Sequence, residues 1–317
     1  KGFFLWRKIL NEIGEKLDRI IRCITSEGAI MAAAIDSTYI VATAQQIHNT
    51  SPTATAALGR LLTGASLMGS MLKKTHASVT IKVNGGGPSG TLVAIADGNG
   101  NCRGYMEHPE ADVPLKQNGK LDVGGLVGAN GLLGVIRDLG EGEPHMGQVP
   151  LRSGEIAEDL TGYYADSEQI PTVCALGVLV DKADRSRVLA GGMLIQLLPG
   201  ALPEDVDKLE KNIAELPSVT TMLAQGMTIE EMCAKALQGF QMEILDEYKV
   251  GYACTCSKER VQRALLTLPP KDILTLADEK TGIAEVCCQY CGKKYILPLE
   301  ELKALADTAE KKAGKSF

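Results

Sequence analysis

The sequence has few aromatic residues: they fill 4% of its 317 positions, with a single tryptophan. A core built from it must be packed mainly with aliphatic side chains and methionine. A basic excess is lacking too, since 33 Lys and Arg stand against 39 Asp and Glu for a formal charge of −6. No nucleic-acid partner is therefore expected, because grip on phosphates needs a basic face. No apolar run approaches the roughly 20 residues of a membrane-spanning helix, so a soluble protein without a membrane partner is expected. The apolar start Phe3-Phe4-Leu5-Trp6 is broken by Arg7 and Lys8, and no small-residue cleavage site follows, which argues against a secretory signal. Trp6, Ile9, Ile13, Leu17 and Ile20 instead recur at helical spacing and predict an amphipathic helix over 1–22.

What is present suits a globular chain. Hydrophobic residues at 45% and charged residues at 23% are enough to build and solvate a core, and the length predicts two or three modules. Between residues 20 and 198, short β-like runs alternate with helical stretches. Strands are predicted over 28–35, 39–43, 78–83, 91–97, 102–106, 131–138, 172–180 and 190–197, and helices over 54–74 and 155–167. In the first of these helices Leu58, Leu61, Leu62, Ala65, Met68 and Leu72 share one face. Helices and strands mix without a clean βαβ repeat, so the expected class is α/β (α+β).

Pro199, Gly200 and Pro203 then mark a break. Beyond it Val206, Leu209, Ile213 and Leu216 form one apolar stripe that Pro217 ends, and Thr228-Ile229-Glu230-Glu231 reads as a capping box opening a helix to about Leu245. Met222, Met227, Met232 and Met242 sit in this segment and suit either plain core filling or changeable apolar contacts. The expected organisation is an N-terminal extension (1–16), an α/β core domain (17–198), a helical linker (199–245) and a small C-terminal zinc-binding domain (246–317). The last part is too short to bury much apolar surface, so a staple is expected.

Nine cysteines without a secretory signal point to a reducing, cytoplasmic setting in which thiols are ligands or redox groups. Cys23, Cys102, Cys174 and Cys233 are scattered in apolar sequence, whereas Cys254, Cys256, Cys287, Cys288 and Cys291 gather near the end. Cys254-Thr255-Cys256 and Cys288-Gln289-Tyr290-Cys291 are two close thiol pairs. Brought together they make a tetrahedral thiolate shell for one Zn²⁺, and a closed shell with no water position is structural rather than hydrolytic. Cys287 offers an alternative thiol, but only Cys288 makes Cys-x-x-Cys with Cys291. Each pair consists of near neighbours, so oxidation can join Cys254 to Cys256 and Cys288 to Cys291 and expel the metal. Zinc supplies on the order of 10 kcal/mol of apparent folding free energy in small metal-dependent units, so its loss is expected to unfold this lobe.

The same residues resemble the 33 kDa heat-shock chaperone family, bacterial redox-regulated holdases. The likeness extends to Asp18-Arg19-Ile20-Ile21-Arg22, Ala94-Ile95-Ala96-Asp97-Gly98, residues 119–125 (GKLDVGG), Gly147-Gln148-Val149-Pro150-Leu151, residues 153–160 (SGEIAEDL) and Gln196-Leu197-Leu198-Pro199-Gly200-Ala201, and covers about residues 17–305. It implies a chaperone and not an enzyme: a zinc-bound resting state of little activity, and an oxidised, partly unfolded, often dimeric state that holds unfolding client proteins. Activation under oxidative and heat stress, hand-over of clients to the seventy-kilodalton chaperone system and a client-binding role for 199–245 follow from the same likeness. Two other classes stay open on the residues alone. One is a zinc ribbon gripping nucleic acid through Arg260, Lys293 and Lys294; the other is an enzyme sited in the core domain, for which no nucleophile and base converge.

Other motifs are weaker. Residues 85–90 satisfy G-x-G-x-x-G, but a strand rather than a helix is expected to follow, so a glycine turn is the better account. Ser70-Met71-Leu72-Lys73 matches S-x-x-K without its partner motifs. His48, His76, His108 and His145 have no metal-binding spacing. Glu155, Glu158 and Asp159 suit the positive end of a helix better than acid–base work.

Overall fold

A computed structural model describes residues 18–72, 74–181, 184, 187–278 and 280–313. The chain divides into two compact units, 1–253 and 254–317. The helix expected over 1–22 lies outside the described residues up to residue 17; from Asp18 the chain is a strand, so Ile20 belongs to a sheet.

The first unit holds two five-stranded antiparallel sheets. One has the order β10 (Met242–Val250), β1 (Asp18–Thr25), β2 (Ile30–Asp36), β9 (Val188–Leu197), β8 (Thr172–Val180); the other runs β5 (Cys102–Met106), β4 (Leu92–Asp97), β3 (Ser78–Asn84), β6 (Leu132–Asp138), β7 (His145–Pro150). Helix α1 (Thr38–His48) leads into α2 (Pro52–Ser70), which packs against β2, β8 and β9 of one sheet and β3, β4 and β5 of the other. Squeezed from both sides, α2 is buried all round: every residue except Pro52 and Arg60 is inaccessible. The sequence suggested one apolar face; its Thr, Ala, Gly and Ser positions are equally inward, because small side chains let both sheets approach. Gly69 shows the closeness, since a Cβ there would meet the Asp97 carbonyl oxygen at 2.5 Å.

The first sheet is apolar on both faces. Side chains alternate along a strand, so Ile20, Ala33, Ile35 and Leu194 face the α2 core. Ile21, Cys23, Ala32, Ala34, Met193 and Ile195 face the opposite way, and there the linker helices α5 (Pro203–Ala214), α6 (Val219–Ala224) and α7 (Ile229–Ala236) cover them with Leu209, Val219, Met222, Ile229, Met232, Cys233 and Ala236. Met222 and Met232 are wholly buried and Met227 and Met242 pack beside them, so these methionines are core filling in this state. The Thr228 capping box is formed: its Oγ1 accepts from Glu231 N at 3.2 Å, and its own N–H donates to the Glu231 carboxylate at 2.8 Å.

Two expectations are corrected. The helix from Thr228 ends at Ala236, and Gly239 at φ +82° turns the chain into strand β10 instead of letting the helix reach Leu245. Strand β10 pairs antiparallel with β1 from Asp18↔Val250 to Thr25↔Met242, with a bulge opposite Arg22/Cys23. Arg22 fastens it through the Asp246 carboxylate (Nε to Oδ1 2.7 Å) and the Tyr248 hydroxyl (3.0 Å). The β-branched run at 39–43 is not a strand but part of α1, because the Asp18 side chain, distant in sequence, and the adjacent Asp36 cap that helix. Tyr39 N and Ile40 N donate to the Asp18 carboxylate at 3.0 and 2.7 Å, and Thr38 N donates to Asp36 Oδ1 at 3.0 Å.

The remaining short helices are α3 (Val123–Val127) and α4 (Ala157–Tyr163), the latter followed by a π-helical turn over Tyr164–Glu168. The glycines of 85–90 form the β3–β4 turn, as expected. Ser70 is buried at the end of α2 with its hydroxyl donating to the Leu67 carbonyl at 2.7 Å. Asp159 accepts from the N–H groups of Arg152, Ser153 and Ile156, and Glu155 pairs with Arg60 and Lys116, so these carboxylates hold a loop and helix start. Among the described residues no helix is long and apolar enough to cross a membrane.

Burial, working against the two backbone hydrogen bonds, pushes the Asp18 carboxyl up from 3.8 to about 7. The folded chain thus binds a proton that the unfolded chain releases. This contribution is complete below pH 3.8 and is lost as pH rises through about 7, up to about 4 kcal/mol. Asp18→Asn is expected to flatten the fall in stability between pH 5 and 8; urea unfolding midpoints across that range check the slope, and an unchanged slope refutes the assignment.

Candidate metal centre

In the second unit Cys254 and Cys256 lie in an irregular segment just before α8 (Lys258–Leu265), whose start is capped by the Ser257 hydroxyl accepting from Arg260 N at 3.3 Å. Both sulfurs of this Cys-x-Cys pair reach the same point. Cys288 and Cys291 lie in the turn between β11 (Ile283–Cys287) and β12 (Lys294–Pro298). Cys288 N donates to the Lys293 carbonyl at 2.9 Å and Gly292 N to the Cys288 carbonyl at 2.8 Å. This closes a knuckle whose left-handed position, φ +68°, is taken by glycine at Gly292.

The four sulfurs lie within 4.8 Å of one another. Cys254 and Cys288 approach to 3.7 Å, and Cys256 and Cys291 to 3.4 Å. Four sulfurs about 2.3 Å from a central zinc in tetrahedral array are about 3.8 Å apart, so the group fits a metal ion. A disulfide needs sulfurs about 2.05 Å apart, and all four thiols are free. Cys287, the last residue of β11, is exposed and stands outside the group of four.

The sequence reading missed Tyr295. From β12 its hydroxyl donates to Cys256 Sγ at 3.0 Å, with the Lys293 ammonium 5.2 Å from its ring centroid. Burial pushes the Cys256 thiol up, but hydrogen bonds from Tyr295, Cys291, Cys254 and Cys288 outweigh it and bring the group down to about 7. Burial holds Cys254 and Cys291 above the usual thiol value. Cys256 is thus the readiest of the three to become a thiolate. The only sequence signal for Tyr295 is its period-two spacing from Leu297, both buried while Ile296 between them is exposed.

Around this centre the unit has a small core of Leu265, Ile273, Ala284, Leu297, Leu302, Ala306 and Ala309, contributed by α8, α9 (Pro270–Thr275), the hairpin and α10 (Leu299–Ala313). Arg260 is turned to the Thr255 hydroxyl at 2.5 Å and Lys294 to Glu285 at 2.7 Å. Two of the three cations that a nucleic-acid reading relies on are therefore engaged within the unit.

A hydrogen bond to a metal-bound sulfur tunes its charge and orientation, and losing such support typically costs 10–100-fold in metal affinity. Tyr295→Phe is expected to weaken zinc binding about tenfold while leaving the fold of the first unit unchanged. Competition with a chromophoric chelator reads this; an unaltered affinity shows that the hydroxyl is only a bystander.

Comparison with known proteins identifies the family. The model of the Hsp33 protein family matches residues 18–298. A 33 kDa chaperonin of Clostridium perfringens (strain SM101 / Type A) is 46% identical over 295 residues, 93% of this chain and 93% of its own. One from Lachnoclostridium phytofermentans is 47% identical over 286 residues, covering 90% of this chain and 97% of the relative. Among solved structures, the 33 kDa chaperonin (heat shock protein 33 homolog) of Thermotoga maritima superposes with a TM-score of 0.83 at 34% identity, over 93% of this chain and all of that one. On the match over residues 18–298 and this identity along nearly the whole chain, the protein belongs to the Hsp33 family.

Proposed function

We propose that the protein is a redox-regulated holdase. Cys254, Cys256, Cys288 and Cys291 hold one Zn²⁺ in the reduced state, and oxidation to disulfides releases the metal and loosens the chain so that it binds unfolding proteins. The observation that carries this reading is the convergence of two sequence-distant thiol pairs to within 4.8 Å, in a unit whose own core is small. Of the seven residues of that core, three are alanines. Such a core rarely outweighs the conformational entropy of some 60 residues. A metal–thiolate shell is thus the main staple of this part.

Zinc, when bound, supplies the cross-link; the chain's residues supply the switch. A peroxide oxidises one thiol of a pair to a sulfenic acid with release of water, and the neighbouring thiol displaces a second water to form the disulfide. Cys256, its thiol brought down to about 7 with the Tyr295 donor beside it, is the expected first target. Sulfurs bonded to each other no longer act as anionic ligands. The working parts are then the core (17–198), the linker (199–245) and the switch lobe (246–317). Loosening propagates into the linker and bares the apolar sheet face with Met222 and Met232. Dimerisation of the oxidised chain, hand-over to the seventy-kilodalton chaperone system and a cytoplasmic setting complete the reading, and no enzymatic turnover is part of it.

One observation favours a second pairing. The shortest sulfur contacts run between pairs, Cys254 to Cys288 and Cys256 to Cys291. Cross-pairing would staple the lobe shut, whereas the neighbour pairing Cys254–Cys256 and Cys288–Cys291 closes the smallest loops and is favoured once the lobe opens. Peptide mapping without reduction separates them: neighbour pairs leave two unlinked peptides, each lighter by two hydrogens, and cross pairs join the peptides. Zinc-loaded protein treated with peroxide at elevated temperature is expected to release its zinc, lose far-UV helicity and suppress aggregation of a denatured client. Retained zinc, or an oxidised form that fails to protect the client, overturns the proposal.

A further inference from the structure

Under the linker helices lies a second thiol pair outside the metal centre. Cys23 of β1 and Cys233 of α7 are each 0% exposed and share the core between the first sheet and the linker. The two thiols interact across this core, which brings Cys23 below and holds Cys233 above the ordinary thiol value, and the Cys23 thiol donates to the Ala32 carbonyl at 3.6 Å. The match extends along both elements. Arg19, Ile21 and Cys23 alternate onto one face of β1, and Glu230 and Cys233 are three apart on one face of α7. Arg19 reaches Glu230 at 2.6 Å, so an ion pair and a thiol pair join the same strand to successive turns of the same helix. Cys102 and Cys174, the other buried thiols, belong to the opposite core.

We propose that Cys23 and Cys233 form a second redox site, a dithiol that closes to a disulfide and bolts α7 onto β1 when an oxidant reaches it. While α7 is seated the pair is silent, because no oxidant touches a thiol of zero exposure. A partial lift of α7 admits the oxidant. A peroxide takes one thiol to a sulfenic acid and releases water; the second thiol displaces another water and the S–S bond forms. In all, two electrons and two protons leave the sulfurs and one peroxide becomes two waters. The bolt limits what opens: α5 and α6 are free to leave the sheet while α7 stays, so the apolar face bared is set by this bond as well as by the lobe. The chemistry needs only a mobile linker and an oxidant, not the zinc site.

The test uses the full zinc-loaded chain, oxidised with hydrogen peroxide in the cold or just below its unfolding onset, blocked with N-ethylmaleimide and digested with trypsin without reduction. Warm oxidation is expected to yield fragment 23–60 joined to fragment 212–235, absent from the cold sample and from Cys233→Ala. Zinc release is read separately on the same samples, so failure here is distinguishable from failure of the switch lobe. Oxidised wild type is also expected to be cleaved after Lys235 at least about tenfold more slowly than oxidised Cys233→Ala, as a closed disulfide loop restrains opening, with no such gap between the reduced proteins. Maleimide on both thiols after warm oxidation, pairing of either with another cysteine, or equal cleavage of the oxidised forms overturns the proposal.

Discussion

The constraint on which the first unit rests is a sheet that must be covered twice. Strands β1, β2 and β9 carry apolar side chains on both faces, so neither face tolerates water over any length. One side is sealed by α2, which is itself locked between two sheets. The other is sealed by three short helices brought from a later stretch of chain. The two seals differ in kind. Removing α2 would demolish both sheets at once, whereas lifting α5–α7 leaves every strand pairing intact. A hydrophobic surface can thus be hidden or shown at the cost of the weaker layer alone, which is the physical property a reversible client-binding protein requires.

The C-terminal unit solves the opposite problem, holding shape with little to bury. Its seven-residue core is supplemented by a thiol group whose members come from a Cys-x-Cys pair and a hairpin knuckle. Tyr295, buried two residues before the core residue Leu297 on the same strand, donates to Cys256 and so links the hairpin to the sulfurs. A change in charge at the sulfur is felt directly by the hairpin strand β12 through this hydroxyl.

Sequence patterns revealed much of this because they report local preferences. Period-two runs located seven of the eight strands expected before residue 198, and paired cysteines at short spacing pointed to the thiol group before any geometry was known. What stayed hidden was decided at long range. Residues 39–43 have strand-like side chains, but Asp18 reaches over, beside the adjacent Asp36, to cap their first turn, and a helix results. Leu58 and its neighbours looked like one face of a helix, while the intervening Thr, Ala and Gly gave no hint of a second sheet pressing on them. The end of α7 was misplaced because Phe240 to Leu245 continues a helical apolar rhythm that Gly239 interrupts. Tyr295 and the Cys23–Cys233 pair were invisible for the same reason: each partner is unremarkable until the fold places it against the other.

The route of the chain into the thiol unit has a mechanical side. After Val250 the backbone does not simply leave; the Gly251 carbonyl accepts from Cys102 N at 3.1 Å, Ala253 N donates to the Cys102 carbonyl at 2.8 Å, and the Tyr252 hydroxyl donates to the Gly104 carbonyl at 2.8 Å. A strand paired with β1 in one sheet is thereby stitched at its end to β5 of the other. Tension applied from residue 254 meets this stitch first and β10 only afterwards. The three residues 251–253 thus tie the last strand of one sheet to the edge of the other before the chain enters the thiol unit, so that neither sheet's edge can leave without the other.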